Sequence, residues 1–216
     1  MQKTYNMKLI LTMLLAVGIV NTSVANLFSK ADYESSLQTQ ELMGAPLTIL
    51  EQNGMWMKVE CSQPYSGWVP ALSVVTMDID RLSQWTTAAK YIVTAPSETV
   101  YSRNNSKSDV VCDLVAGDLL KQVQNKGKAV IKSGFAAVEL PDGTQGWVNA
   151  KSLEDNDRWT RQNQKAHPGR EGGKSHSVGR KNERHPLYVG RYFHKRLRLQ
   201  RADAVLLQDG RGESAA

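Results

Sequence analysis

Gly67-Trp68-Val69 recurs as Gly146-Trp147-Val148, and the residues upstream of the two copies repeat in step. Gly44 pairs with Gly117, Leu47 with Leu120, Trp56 with Phe135, Val59 with Val138 and Glu60 with Glu139. Before each first glycine, Ser35-Ser36-Leu37 matches Ser108-Asp109-Val110. The span from glycine to Gly-Trp is 23 residues in the first copy (44 to 67) and 29 in the second (117 to 146). The extra six fit a longer hairpin around residues 127–134. A period of 79 residues between the two tryptophans, built from short segments, means two small domains of one kind rather than a solenoid.

Each copy reads as short strands and turns. Pro46-Leu47-Thr48-Ile49-Leu50 is apolar and β-branched, and Asn53-Gly54 supplies a turn. Residues 56–61 alternate, with Trp56 and Val59 near the edge of a core. In the second copy, Lys126-Gly127 and Pro141-Asp142-Gly143 are turns, because proline presets φ and glycine accepts φ > 0. Between the copies, residues 78–90 lack Pro and Gly and place Leu82, Trp85 and Ala89 on one helical face, with Asp80 as a candidate N-cap. Residues 91–94 then open the second copy.

The N-terminus has the order of an export signal. Lys3 and Lys8 form a basic region, residues 9–20 (LILTMLLAVGIV) an apolar one, and Ser23-Val24-Ala25 offers small residues at −3 and −1 of a cut before Asn26. The apolar run is shorter than the roughly 20 residues a spanning helix needs. It is also the one long apolar run, so a polytopic membrane protein is excluded. Two cysteines exclude a disulfide-dense scaffold and a cysteine-built zinc finger.

Charge divides the chain unevenly. Residues 1–158 carry 14 Lys+Arg against 16 Asp+Glu, whereas residues 159–216 carry 13 against 5, together giving the net +6. All four histidines, at 167, 176, 185 and 194, lie in the second part. Arg180, Lys181, Lys195, Arg196, Arg198 and Arg201, interleaved with Tyr188, Tyr192 and Phe193, could form a basic arm for nucleic acid or an anionic surface. The histidines recur every nine residues, which puts successive rings on opposite faces of a helix or a strand, so no metal cluster follows.

The repeated pattern of a serine turn, an apolar strand entered from glycine, Trp or Phe then Val, and a closing Gly-Trp-Val resembles bacterial SH3 (SH3b) domains. The resemblance covers about residues 27–76 and 93–154. It implies an all-β fold of two small SH3-like barrels in tandem, of a kind that binds cell-wall material. Tandem SH3b domains behind a signal peptide resemble the front of NlpC/P60 cell-wall cysteine peptidases. Those enzymes continue into a catalytic domain with motifs like P-Y-M-W-G-G and D-C-S-G. Neither motif occurs in this chain. The codons for residues 185–203, however, admit a reading one nucleotide later of I-P-Y-M-W-G-G-T-S-T-N-A-F-D-C-S-G-L-T, with the D-C-S-G overlay on residues 197–202. Residues from about 159 onward therefore read as an out-of-frame translation of a peptidase domain.

The expected organisation is a signal peptide at 1–25, SH3b barrels at 26–77 and 93–158, a linker with a short helix at 78–92, and an unfolded basic tail at 159–216. No cofactor, no metal and no catalytic residue are expected. A papain-like site needs a Cys thiolate beside a His base, and residues 26–158 contain no histidine. Cys61 and Cys112 read either as small buried hydrophobes or, export permitting, as an inter-barrel disulfide. The resemblance implies peptidoglycan or its stem peptides as partner, in the periplasm or outside the cell, with no nucleic acid and no membrane span after signal removal. The parent activity would be γ-D-glutamyl–diamino-acid endopeptidase cleavage. Tyr65, Trp68 and Trp147 are the candidate ligand contacts, and both tryptophans are expected to close equivalent strands and be substantially buried.

Overall fold

A computed structural model of the chain describes residues 16–61 and 65–166, the side chains of 164–166 aside. It contains two barrels of the same strand order. The first is built from β1 (Ala16–Val20), β2 (Val24–Phe28), β3 (Leu37–Leu42), β4 (Pro46–Asn53), β5 (Trp56–Glu60), β6 (Ser66–Pro70) and β7 (Val74–Met77). They form one antiparallel sheet in the order β3-β2-β6-β5-β4-β1-β7. A nine-residue helix, α1 (Ile79–Thr87), follows.

The second barrel has β8 (Lys90–Val93), β9 (Ser97–Tyr101), β10 (Val110–Val115), β11 (Leu119–Gln122), β12 (Gln124–Asn125), β13 (Lys128–Ala129), β14 (Ile131–Lys132), β15 (Phe135–Glu139), β16 (Gln145–Asn149) and β17 (Leu153–Asp155), then α2 (Asn156–Ala166). Its main path, β10-β9-β16-β15-β11-β8-β17, repeats that of the first barrel strand for strand. The longer hairpin expected in the second copy is β12, β13 and β14. Its turns need glycine: Lys126-Gly127 and Ser133-Gly134 each put two successive residues at positive φ (49° and 74°, 50° and 81°), the geometry of a tight two-residue hairpin loop.

The alternation of each strand sets its core. Leu27, Leu47, Val59 and Val69 point into barrel one, and Val100, Leu120, Val138 and Val148 take the same places in barrel two. These eight side chains are completely or almost completely buried. Each buried aliphatic side chain contributes about 1.5–3 kcal/mol, so two repeats of one inward pattern suffice for two small cores.

Three boundaries differ from the sequence reading. The first barrel begins at Ala16, inside the stretch read as a signal peptide. β1 pairs with β4 on one side and β7 on the other, and Ile19 and Val20 are fully buried. The junction expected between Ala25 and Asn26 lies within β2. The apolar Ala16–Val20 has the composition of a signal core, yet here it supplies a central strand buried on both faces. Likewise β8 starts at Lys90, one residue before the strand read at 91–94 and ahead of the barrel boundary at 93, and α2 crosses the expected boundary at 158/159 to pack on β8 and β17. The rest of the basic tail, its four histidines and its out-of-frame reading lie outside the described residues. Among the described residues no helix is long and apolar enough to cross a membrane.

The linker forms the helix expected of it, but capped one residue pair earlier. Asp78, not Asp80, is the N-cap, its Oδ1 accepting from the Arg81 backbone N–H at 2.8 Å. Leu82 and Trp85 are buried against Ile19 and Met77. At the other end the Lys90 ammonium donates to the carbonyls of Trp85 and Ala88 and sits 5.3 Å from the Trp85 ring centre. It thereby satisfies carbonyls that the helix end leaves open.

The barrels are joined by more than the linker. The Met43 side chain, from the β3–β4 turn of barrel one, is buried in the core of barrel two. Its carbonyl accepts from the Leu119 N–H at 3.0 Å. Asn21 and Asp142 exchange two hydrogen bonds across the junction, both 3.2 Å.

Candidate functional site: an aromatic outer face on the first barrel

The Gly-Trp-Val motif divides its three residues among three tasks. Gly67 and Gly146 are where strands approach too closely for a side chain. A Cβ on Gly67 would lie 2.9 Å from the Phe28 carbonyl oxygen, and one on Gly146 would lie 2.3 Å from Val100 Cγ1. Val69 and Val148 fill the cores. Trp68 and Trp147 point to the other side and are half-buried. The two tryptophans sit on equivalent strands and keep only part of their surface exposed, while Val69 and Val148 fill the cores. Period-two alternation forces that outcome once glycine and valine face inward.

The register places Trp68 opposite Phe28, and Trp147 opposite Tyr101. On β5, Met57 and Val59 face in, so Trp56 faces out. Trp56 and Phe28 meet edge to face at 5.8 Å. The corresponding pair in barrel two is Phe135 and Tyr101, at 6.1 Å. Each barrel thus carries an outward aromatic pair beside its half-buried tryptophan.

Barrel one adds a third ring to this pair. The turn after β2 brings Tyr33 to 4.7 Å from Trp56 and 5.8 Å from Phe28. Tyr33 remains 65% exposed. Met55, in the β4–β5 turn next to Trp56, is 79% exposed. An exposed ring held against two others is an amphipathic contact surface with little rotamer freedom left to lose.

The three expected ligand contacts separate in the structure. Trp68 lies in the row that contains Phe28. Trp147 belongs to the equivalent row of the other barrel. Tyr65 is exposed at the β5–β6 turn, where its carbonyl accepts from the Cys61 N–H at 3.0 Å and from the Cys61 thiol at 3.1 Å. Because Glu60 pairs with Ser66 and Trp56 with Pro70, Tyr65 sits at the end of that hairpin away from Trp56. Phe28 and Tyr33 are the members of this aromatic face that the sequence analysis did not single out. The inward Leu27 next to Phe28 was the available signal for the first. Tyr33 depends on the turn that carries it.

Neither cysteine is poised as a nucleophile. Both are free thiols, so the inter-barrel disulfide is not formed. Burial first, and the nearby Glu41 carboxylate second, push the Cys61 thiol up to about 12. Burial, with the carboxylates of Asp118, Asp113 and Asp142, pushes Cys112 up to about 11. The reactive thiolate is therefore suppressed at both. Among the described residues, no three His, Cys, Asp or Glu side chains gather as a metal site.

Residues 27–73 match the family described as the bacterial dipeptidyl-peptidase Sh3 domain. The chain is 26% identical over 137 residues to the dipeptidyl-peptidase 6 of Lysinibacillus sphaericus, covering 63% of this chain and 49% of that one. The chain thus spans about half the length of this curated relative. Among solved structures, an NlpC/P60 family protein from Bacillus cereus aligns with a TM-score of 0.52 at 18% identity, over 64% of this chain and 55% of that one. An NlpC/P60 endopeptidase from Photobacterium damselae subsp. piscicida aligns at 17% identity with a TM-score of 0.45, over 65% and 33%. The structural likeness is one of fold. With the family match it makes the first barrel a bacterial SH3 domain resembling the N-terminal part of NlpC/P60 peptidases.

Proposed function

We propose that this tandem of bacterial SH3-type barrels is an exported module that holds peptidoglycan, by its stem peptides, on the aromatic outer face of the first barrel. The observation that carries the reading is the contact of Tyr33, Phe28 and Trp56, with Tyr33 left largely exposed. It lies inside the segment that matches a dipeptidyl-peptidase Sh3 family. The resemblance to NlpC/P60 cell-wall peptidases supplies the cell-wall context.

The barrels act in this reading by holding and positioning substrate. Residues 16–166 contain no histidine, and the two thiols are held protonated by their surroundings. Cleavage of γ-D-glutamyl–diamino-acid bonds by a cysteine mechanism requires both groups in one site. Residues 1–158 are net acidic, so the barrels do not offer the basic footprint that nucleic acid requires.

The test is cosedimentation of the purified protein with insoluble peptidoglycan sacculi. Trp56→Ala should weaken retention about tenfold, in the range of aromatic contacts worth about 1 kcal/mol or more. Trp56→Phe, which installs the ring that barrel two has at this place, controls for folding and should lose less. If both variants sediment like the wild type, the aromatic face is not where peptidoglycan binds.

A further inference from the structure

The turns that follow β2 and β9 are duplicates down to individual hydrogen bonds. In barrel one, the Ser35 Oγ accepts from the Lys30 N–H at 3.2 Å and donates to the Lys30 and Asp32 carbonyls at 3.3 and 2.7 Å, while Asp32 Oδ1 accepts from the Glu34 N–H at 2.9 Å. In barrel two, the Ser108 Oγ accepts from the Arg103 N–H at 3.2 Å and its bonds to the Arg103 and Asn105 carbonyls are 3.3 and 2.7 Å, while Asn105 Oδ1 accepts from the Lys107 N–H at 2.9 Å. The backbone scaffold is thus the same, and the side chains set on it differ, most in size at one place. Where barrel one has Tyr33, barrel two has Ser106.

None of those hydrogen bonds involves the side chain at that place. The frame folds equally with a ring or with a hydroxymethyl group, so folding of the turn does not account for the tyrosine. Barrel two makes a different use of its turn. The Asn104 amide donates to Ser133 Oγ at 3.4 Å, tying the turn to the β14–β15 hairpin beside Phe135.

We propose that Tyr33 confines peptidoglycan binding to the first barrel, the second barrel being the same frame without the ring that completes the contact surface. The inference rests on the aromatic-face reading above and adds to it which barrel binds and which residue decides. Tyr33 completes a three-ring surface on a turn pinned by Ser35 and Asp32. Phe135 and Tyr101 remain a two-ring edge beside a tied turn. Binding is one site per chain.

The experiment measures retention on purified sacculi for Tyr33→Ser, Phe135→Leu and Trp56→Ala, with thermal melting recorded for each. Tyr33→Ser copies the residue of barrel two onto an exposed place, so its melting temperature should stay at that of the wild type. Its retention should fall about five- to tenfold. Phe135→Leu should bind within about twofold of the wild type. If Trp56→Ala loses binding and Tyr33→Ser does not, the assignment of Tyr33 is overturned while the aromatic-face reading stands. If Phe135→Leu loses as much as Tyr33→Ser with its fold intact, confinement to one barrel is overturned. If all three bind like the wild type, the aromatic-face reading itself falls.

Discussion

The Asp118 carboxylate of barrel two accepts a hydrogen bond from the Met43 backbone N–H of barrel one at 3.1 Å, at a position with no solvent exposure. Its other oxygen accepts from the Val115 N–H of its own turn at 2.8 Å. One side chain therefore serves as a partner for two donors, the buried Met43 N–H of one barrel and the part-buried Val115 N–H of the other. The Met43 side chain next to it is part of the second core. The two barrels share buried contacts at this seam.

Removing that carboxylate leaves the buried Met43 N–H and the part-buried Val115 N–H without this partner. An unsatisfied buried donor costs about 1–3 kcal/mol, so loss of the Met43 bond alone should lower the unfolding free energy of Asp118→Ala by about that much in urea titration. Asp118→Asn keeps the volume but turns an NH2 group toward one of the two donors, and should fall between alanine and the wild type.

Asp118 also sets a pH dependence. Burial raises its pKa from 3.8 to about 7, against the two backbone donors that lower it. Between those values the folded chain holds a proton that the unfolded chain releases. Stability should then fall as pH rises from about 4 to about 7, and level off above that. Urea titrations from pH 4.5 to 8 check the sign. The slope should be reduced in Asp118→Asn.

The closing motif can be tested at its glycine. Gly146→Ala would put a methyl group 2.3 Å from Val100 Cγ1 and 3.0 Å from the Tyr101 carbonyl oxygen. Overpacking of this kind costs about 1–3 kcal/mol. Gly143→Ala meets no atom within 4 Å but sits at φ +94°, and should cost about 1 kcal/mol from backbone strain alone. Melting of the two variants side by side separates crowding from strain.

The thiols should be quiet in the folded state. With Cys61 pushed up to about 12 and Cys112 up to about 11, iodoacetamide at pH 8 should label both slowly in buffer and quickly in 6 M guanidinium, as read by mass spectrometry.

Any N-terminal processing should stop short of Ala16. A chain cut after Ala25 would lose β1 and leave β4 and β7 without their shared neighbour. Intact mass of the protein recovered from its native host should place the first residue at or before Ala16, and a variant starting at Asn26 should lack cooperative melting.

The sequence carried the two-barrel plan because a barrel of this size repeats its inward residues at fixed intervals, and Leu47, Val59 and Leu120, Val138 are visible as such. The linker helix was legible for the same reason, through Leu82 and Trp85. Two kinds of information were not local. Ala16–Val20 is apolar on both faces, and nothing in five residues separates a buried central strand from the end of a signal core. The seam depends on Met43 meeting Asp118, a contact 75 residues apart. At the candidate site, Trp68 was legible both as a ligand contact and as a substantially buried residue, because it stands in a closing motif whose neighbour Val69 fills the core. Tyr33 had no signal of its own. Its place against Trp56 comes from a turn whose geometry is visible only by comparison with its duplicate.

β1 leaves the ribosome before either of its partners. It aligns Val17 with Thr48 on β4 and with Met77 on β7, so its second edge stays unpaired until about sixty more residues have been made. Contacts that distant in sequence form late and slowly. A polypeptide that cannot shut its first barrel until the seventh strand arrives stays open during synthesis, a state that a translocation channel for unfolded chains can accept. The same delay exposes an apolar, β-prone segment to neighbouring chains. For this molecule the order of synthesis sets a window in which misassembly competes with folding, and the strand that ends the window is β7.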